Sequence, residues 1–250
     1  MAFQLSPGVL VTEKDLTTIV PAVATSAGGM AGTFAWGPAE EVLLIDTENL
    51  LKSTFHEPDA NTYEWWFTAA NFLQYGNNLQ VVRTIHETAA ASEATHKNAT
   101  AGSNVVLIKN RTHYDANYAT GQANVGTWAA KYPGALGNSL KVAFADAAAN
   151  ATAYNAWTYA ANFDGRPGTS DYVSKRNGSL DELHVIVIDE DGLFTGTAGT
   201  VLERYSYVSK ASDARKDNGE GNFYVDVINN LSRYICLLYT SDAADDTPCV

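Results

Sequence analysis

Hydrophobic residues recur along the chain at two spacings, and together these predict a fold with both strands and helices. Short apolar runs bounded by glycine or proline are typical of buried strands, whereas apolar residues at i, i+3, i+4 and i+7 mark one helical face. In the first third, the predicted strands cover 29–36, 42–45 and 79–85. Between the second and third strands we predict a short helix, capped by Asp46 or Thr47 and ending at Thr54, and then a helix over 61–74.

The predicted helix over 61–74 carries one broad apolar face, which should cover a sheet. That face consists of Tyr63, Trp66, Phe67, Ala70 and Leu73. Gly76 lies where a C′ glycine commonly ends a helix. The succession of strand, helix and strand predicts a βαβ-like unit.

The middle of the chain has a weaker pattern. Residues 86–104 are rich in alanine, serine and threonine without a period, which indicates a linker or the start of an inserted subdomain. Strands are predicted over 105–109 and 140–144, while 110–130 stays ambiguous. The segment 146–162 is open between a helix, favoured by its alanines, and a strand, favoured by its aromatic residues.

Clear patterns return in the last third. Strands are predicted over 183–188 and 200–208, with a turn at Asp191-Gly192 between them. An amphipathic helix is predicted over 223–231, with an apolar face formed by Tyr224, Val227, Ile228 and Leu231.

The first 26 residues are predicted to be an extended arm. Pro7 and Pro21 prevent a continuous helix, and the segment 8–12 has the composition of a strand. A terminal strand without a hairpin partner must pair elsewhere, either with a distant strand of the same chain or with another chain.

The predicted fold class is α+β, a mixed α/β architecture. It combines a sheet covered by helices, an inserted alanine-rich and β-containing subdomain, and an extended N-terminal arm. The predicted divisions are the arm at 1–26, one core part at 27–88, the inserted subdomain at 89–180, a second core part at 181–235 and a tail at 236–250.

Composition argues against several classes of function but does not identify one. The 250 residues include 28 acidic and 16 basic side chains, a net charge of -12, which disfavours direct nucleic-acid binding. The sequence contains no run of about 18 apolar residues, so no transmembrane helix is predicted. The two cysteines, Cys236 and Cys249, both lie in the last 15 residues, so no disulfide scaffold or cysteine-based zinc site is predicted before them.

No catalytic, metal-binding or cofactor-binding motif is present, and no cofactor is predicted. Five histidines form no metal-ligand pair, and the dense carboxylate group 189–191 lacks the spacing of a calcium loop. An enzyme would have to bring Asp189 and His184 into one pocket. His184 lies in an apolar strand, where a structural histidine is the simpler interpretation.

Five ordered blocks resemble the tail sheath proteins of contractile bacteriophages and related injection machines. The blocks are 6–9 (SPGV), 31–39 (AGTFAWGPA), 71–83 (NFLQYGNNLQVVR), 131–138 (KYPGALGN) and 203–209 (ERYSYVS). Together they span most of residues 4–235, and none of them is catalytic.

The resemblance implies a structural subunit that assembles helically around a tail tube and contracts to drive the tube through the host envelope for genome delivery. It implies neighbouring sheath subunits, the tube protein, and baseplate and terminator proteins as partners, in a virion tail assembled in the host cytoplasm. It also implies that the arm adds a strand to a neighbour's sheet, through Ser6, Pro7, Gly8, Val9, Leu10 and Val11.

The resemblance ends near Ile235, and intact sheath proteins are much longer. Residues 236–250 resemble translated adapter or vector sequence and are interpreted as non-native, a genuine acidic tail being the alternative. In such a fragment, strands 29–36, 79–85 and 183–188 are expected to lack neighbours and to leave exposed edges. Two other functions stay open: a small soluble acidic α/β enzyme of unknown substrate, and another tail component of the tube or baseplate.

Overall fold

A computed structural model describes residues 27–86, 99–101, 104–119 and 126–238. The predicted arm at 1–26 and residues 239–250 of the predicted tail lie outside these ranges. Helices and strands are both well represented in the described residues, which confirms the α+β class. Within these ranges, no helix is long and apolar enough to cross a membrane.

The first structural unit is a three-stranded sheet with two helices. Its strands are β1 (Ala27–Gly32), β2 (Val42–Ile45) and β3 (Asn78–Arg83), and its helices are α1 (Glu48–Phe55) and α2 (Tyr63–Leu73). The strand order is β1-β3-β2, with β1 parallel and β2 antiparallel to β3. The predicted βαβ-like unit is wrong in its strand direction, because β2, the strand directly before the helices, is antiparallel to β3. The parallel pair is β1–β3, and the chain between these strands passes through β2 as well as both helices.

Local sequence explains how α1 begins and what it buries. The Thr47 side chain accepts a hydrogen bond from the Leu50 N–H at 3.3 Å, which confirms the predicted cap. Leu51 and Phe55 are fully buried, and the Phe55 ring stacks on Phe34 with centroids 4.4 Å apart. The predicted strand over 29–36 was too long because Phe34 and Trp36 enter the core from irregular backbone after β1.

The predicted apolar face of α2 was right at Trp66, Ala70 and Leu73, which are buried or pack against the core, and wrong at Tyr63 and Phe67. Trp66, Ala69 and Ala70 are buried, whereas Tyr63 and Phe67 are about half exposed, at 49% and 51%. Two other side chains of α2 meet glycines of β1. A Cβ atom on Gly32 would lie 2.7 Å from the Trp65 ring, and one on Gly28 would lie 2.8 Å from the Phe72 ring. The rings therefore occupy space that only glycine leaves free.

The middle and last thirds fold together. They contain β4 (Ala99–Ala101), β5 (Asn104–Val106), α3 (Arg111–Asn117), β6 (Trp128–Ala130), β7 (Leu140–Asp146), α4 (Ala151–Ala156), α5 (Asp171–Ser174), β8 (Glu182–Asp189), β9 (Thr200–Ser209), α6 (Tyr224–Leu231) and β10 (Ile235–Leu237). A 3-10 helix covers Ala135–Ser139. Of the two alternatives for 146–162, the structure adopts the helix, with Asn150 capping α4.

The second sheet has the order β7-β8-β9 and is entirely antiparallel. From Leu183 to Asp189, every residue of the central strand β8 is buried. The expectation that strand 183–188 would lack neighbours is therefore wrong, and β3 likewise has a strand on each side. Because β7 lies in the predicted inserted subdomain and β8 in the second core part, this sheet crosses the predicted boundary at 180. The division into domains stays a prediction.

Helix α6 packs on the second sheet, and its predicted apolar face was right at Tyr224, Val227 and Ile228 but wrong at Leu231. Val225 and Ile228 are buried, with Tyr224 and Val227 partly buried beside them, whereas Leu231 is 65% exposed. Strand β10 contributes Ile235 and Leu237 to the same core.

Strand β10 pairs antiparallel with β6 and runs across the predicted boundary at 235. Cys236, Leu237 and Leu238 are buried, and the Leu237 carbonyl accepts a hydrogen bond from the Tyr114 hydroxyl at 2.6 Å. Burial raises the pKa of the Cys236 thiol to about 12. Residues 236–238 are therefore part of the packed structure, and the non-native origin of 236–250 stays a prediction.

Candidate functional site

The predicted inter-subunit residues, Ser6 to Val11, lie outside the described residues. The remaining candidates are the two residues of the enzyme hypothesis and the surfaces that the fold leaves uncovered.

His184 is a buried structural histidine in the second sheet. Its ring stacks on Phe163 with centroids 4.3 Å apart and meets the edge of Tyr207 at 4.5 Å. The Tyr207 N–H donates to Nδ1 at 3.0 Å, so the Nε2 nitrogen carries the proton and donates to the Gly165 carbonyl at 2.8 Å. Burial lowers the pKa of His184, which favours this neutral form.

Asp189 organises the loop that follows β8. Its carboxylate accepts hydrogen bonds from the Ser139 hydroxyl at 2.5 Å, from the Phe194 N–H at 3.0 Å and from the Thr195 N–H at 2.8 Å. Burial opposes its charge, but these hydrogen bonds together outweigh burial and lower the pKa of Asp189. The Asp189 carboxylate therefore has a structural role, in which it fixes the position of the loop that contains Phe194 and Thr195.

The two candidates of the enzyme hypothesis do not converge. They lie five residues apart on β8, about 16 Å at the ~3.3 Å rise of a strand residue, and share no hydrogen-bond partner. Across the described ranges, no group of three or more histidine, cysteine or acidic residues could hold a metal ion.

Arg83 has a structural role that sequence reasoning missed. Its buried guanidinium donates to the carbonyls of Phe34 at 2.9 Å, Gly37 at 2.6 Å and Pro133 at 2.7 Å. It thereby ties the first unit to the middle of the chain. Burial lowers the pKa of Arg83 to about 10, so the side chain remains charged at neutral pH. The sequence feature that could have indicated this role is the position of Arg83, a charged residue at the end of the strand β3.

A cleft of about 1050 Å³ lies between the first unit and the segments 131–132, 192–196 and 233–234. Aromatic rings join its two sides. Trp36 packs edge-on against Tyr132 at 5.5 Å and against Phe194 at 5.1 Å, and Phe194 meets Tyr234 at 5.2 Å. The His56 Nε2–H donates to the Phe194 carbonyl at 3.1 Å.

The rim of the cleft is more basic than the chain as a whole. Lys52, Lys131 and Arg233 line it, with Glu57 paired to Lys52 at 2.5 Å. The Lys131 ammonium donates to the Ser232 carbonyl, and burial lowers its pKa. In a chain of net charge -12, this surface suits an acidic or neutral occupant.

One face of the first sheet is largely exposed among the residues that the structure describes. We call it the open face, and it consists of Gly29, Ala31, Val42, Leu44, Gln80 and Val82. The register aligns Gly29, Gln80 and Leu44 in one row and Ala31, Val82 and Val42 in the next. Val42 is 62% and Leu44 59% exposed, although both are aliphatic residues of a strand. Leu44 also lines the cleft, so the two surfaces are continuous.

Comparison with known proteins identifies the relatives of this chain. It is 30% identical over 216 residues to the tail sheath protein of Salmonella phage ViI, a match that covers 85% of the chain. The chain is a homologue of phage tail sheath proteins. This homologue is also 38% identical over 90 residues to the tail sheath protein of Enterobacteria phage T4, and 37% identical over 95 residues to that of Vibrio phage KVP40. The predicted resemblance is confirmed.

The sheath homologue spans only part of its relatives. Its match covers 30% of the Salmonella phage ViI protein and 14% of each of the other two. Among solved structures, it is similar to the sheath tail protein of Listeria innocua, at 13% identity and a TM-score of 0.38, over 86% of the chain and 30% of that structure. No protein-family model matches the sheath homologue.

Proposed function

We propose that the chain is part of a structural subunit of a contractile tail sheath. The observation that carries this proposal is the match over 85% of the chain to a tail sheath protein. Such a subunit assembles helically around the tail tube, and the sheath contracts to drive the tube through the host envelope for genome delivery. Its place is the virion tail, assembled in the host cytoplasm, and its role is structural and not enzymatic.

The proposed partners are neighbouring sheath subunits, the tube protein, and baseplate and terminator proteins. We further propose that Ser6 to Val11 add a strand to the sheet of a neighbouring subunit. Main-chain hydrogen bonds would supply affinity, and the alternate side chains Val9 and Val11 would supply specificity.

The full-length product tests this function. Sequencing the source DNA past codon 235 is expected to give a continued sheath-like reading frame in place of the sequence that encodes 236–250. Negative-stain electron microscopy of that product is expected to show hollow helical tubes of sheath width. A monomer at all concentrations, or narrow rods typical of a tail tube, would contradict the proposal.

The arm is tested in the same product. The double variant Val9→Asp/Val11→Asp should abolish tubes while leaving the melting temperature of the unassembled subunit unchanged, because the arm acts between subunits. Thr17→Asp/Thr18→Asp, which carries the same added charge but lies outside Ser6 to Val11, is the matched control and is expected to weaken assembly less. Equal assembly by the first variant and the unmodified subunit would argue against the role of the arm.

A further inference from the structure

The pairing of β8 with β9 is irregular at one place, beside His184. Two residues of β9, Ser206 and Tyr207, lie opposite His184 alone, which makes a bulge in the antiparallel pairing. Tyr207 has a φ of 54°, in the left-handed region that is strained for an aromatic residue. The bulge therefore depends on side-chain contacts that hold Tyr207 in this conformation.

Two hydrogen bonds hold the backbone of Tyr207. Its N–H donates to the Nδ1 atom of His184 at 3.0 Å, and its carbonyl accepts from the Nδ2 atom of Asn222 at 2.8 Å. The Asn222 carbonyl in turn accepts from the Ser209 N–H at 2.8 Å, at the end of β9. His184, Tyr207 and Asn222 thus form a chain of contacts from the central strand of the second sheet to the loop over 210–222. We call these three residues the latch.

The outer side of the bulge is loosely packed. A cavity of about 380 Å³ lies there, lined by Ser206, Tyr207 and Asn222 among others. The Asn222 Oδ1 atom is buried and has no donor among the described residues. On the other side of the latch, the His184 ring stacks on Phe163 with centroids 4.3 Å apart. When the contacts of His184 open, the bulge is therefore the side that moves.

Burial, and not a neighbouring charge, controls the protonation of His184. The elements around its ring carry several titratable or charged residues: Tyr154 on α4, Asp164 and Arg166 on the segment that contacts the ring, Asp146 on β7, Asp181 and Glu182 ahead of it along the chain, and Arg204 and Tyr207 on β9. Among the described residues, none of these side chains makes a hydrogen bond or an ion pair with the imidazole. Burial accordingly lowers the pKa of His184.

The closed latch excludes a proton from Nδ1. A protonated Nδ1 would meet the Tyr207 N–H at 3.0 Å, donor against donor, and the cation would be buried without a counter-ion. His184 therefore takes up this proton when Tyr207 has moved away. Because the pKa of His184 is lowered in the closed form, opening becomes more favourable as the pH falls below the ordinary value of about 6.5.

We propose that the latch is an acid-sensitive device: a proton on His184 releases residues 206–222 from the second sheet while the rest of the fold stays closed. The released segment contains the end of β9 and the loop that Asn222 holds. Strand β9 lies at the edge of the second sheet, so its end can separate from β8 without breaking the β7–β8 pairing. The proposal concerns local opening within one chain and is independent of the role of the chain in a sheath.

Hydrogen–deuterium exchange with mass spectrometry on the 250-residue chain tests the latch. Labelling at pH 7.5, 6.5 and 5.5, with times scaled to the intrinsic exchange rate, gives the frequency of local opening. Peptides from 206–222 are compared with peptides from α1 and β3. We expect opening of 206–222 to be severalfold more frequent at pH 5.5 than at pH 7.5, with an upper limit of about tenfold set by one proton. The α1 and β3 peptides should show no such rise.

Three variants assign the rise to the latch. His184→Gln cannot take up the proton, so its opening of 206–222 should not depend on pH. Asn222→Ala removes one tie to Tyr207 and should open more often at every pH while keeping the same ratio between pH 5.5 and pH 7.5. His96→Gln, outside the described residues, is the control for loss of a histidine and should behave as the unmodified chain.

Three results would overturn the proposal: no rise in 206–222 at pH 5.5, an equal rise in α1 and β3, or the full rise in His184→Gln. If His184→Gln does not fold, the unmodified chain and Asn222→Ala still decide. A rise confined to 206–222 in both then supports the latch, and a rise spread over all peptides contradicts it.

Discussion

At the scale of single residues, buried polar groups hold this chain together across long sequence distances. Arg83 reaches carbonyls of Phe34 and Pro133, 49 and 50 residues away in the sequence. Asp189 similarly gathers the loop around Phe194 and the distant Ser139. Each group is satisfied by several partners, as burial of a charge requires.

Replacing Arg83 with leucine is expected to lower the free energy of unfolding by about 3 kcal/mol, because three carbonyls lose a charged donor. Chemical denaturation measures the change. Arg204→Leu is the control, since Arg204 makes one exposed hydrogen bond to the Asn162 carbonyl, and its cost should stay below about 0.5 kcal/mol. Similar costs for both substitutions would show that the three carbonyls find other donors.

His184 predicts a dependence of stability on pH. Its pKa is lowered in the folded state, so the unfolded chain takes up a proton first as the pH falls below the ordinary histidine value of about 6.5. Stability should therefore be unaffected by His184 at pH 7.5 and should decline between about pH 6.5 and the lowered folded pKa. Protonated Nδ1 can no longer accept from the Tyr207 N–H.

Denaturant midpoints at pH 7.5 and pH 5.5 measure this effect. In His184→Gln, which cannot take up that proton, the decline between the two pH values should be smaller than in the unmodified chain. His96→Gln controls for the general loss of a histidine and should leave the decline from His184 in place. A His184→Gln chain with the full decline would mean that other groups cause it.

At the scale of elements, glycines in β1 determine how α2 lies on the first sheet. Gly28 and Gly32 face the rings of Phe72 and Trp65, whereas Gly29, on the open face, has no atom within 4 Å of where a Cβ would be. The same strand thus contains two positions where glycine is required by packing and one where it is not. This contrast shows which glycines of β1 lie against the rings of α2.

Gly32→Ala is expected to destabilise the chain by about 1–3 kcal/mol, because its Cβ would overlap the Trp65 ring and force the helix to shift. Gly29→Ala is the matched control in the same strand, with an expected change within about 0.5 kcal/mol in the 250-residue chain. Thermal unfolding distinguishes them. Equal effects of the two substitutions would indicate that backbone freedom, not ring packing, keeps glycine in β1.

At the scale of the whole molecule, side-chain contacts join the first unit to the second sheet and its loops, and the open face stays exposed among the described residues. The aromatic contacts of Trp36 and Phe194 and the guanidinium of Arg83 join the first unit to the rest. The open face and the cleft remain without a cover within the described residues. The match covers 30% of the length of the Salmonella phage ViI relative.

The sequence predicted those elements that depend on neighbouring residues. The Thr47 cap of α1, the short strand β2 and the turn at Gly192, with its φ of 78°, follow from local chemistry and were confirmed. The five blocks also identified the sheath relatives. The predicted arm, Ser6 to Val11, lies outside the described residues and stays a prediction.

By itself, the sequence determined most element types in the first and last thirds of the chain, the α+β class and the family resemblance, because periodicity, caps and ordered blocks are local. Only the tertiary structure decided that Tyr63 and Phe67 of α2 and Leu231 of α6 stay exposed, since that depends on which elements pack against each helix. It also decided the separation of His184 from Asp189 and the role of Arg83. These features arise from contacts between residues far apart in the chain, which no local pattern encodes.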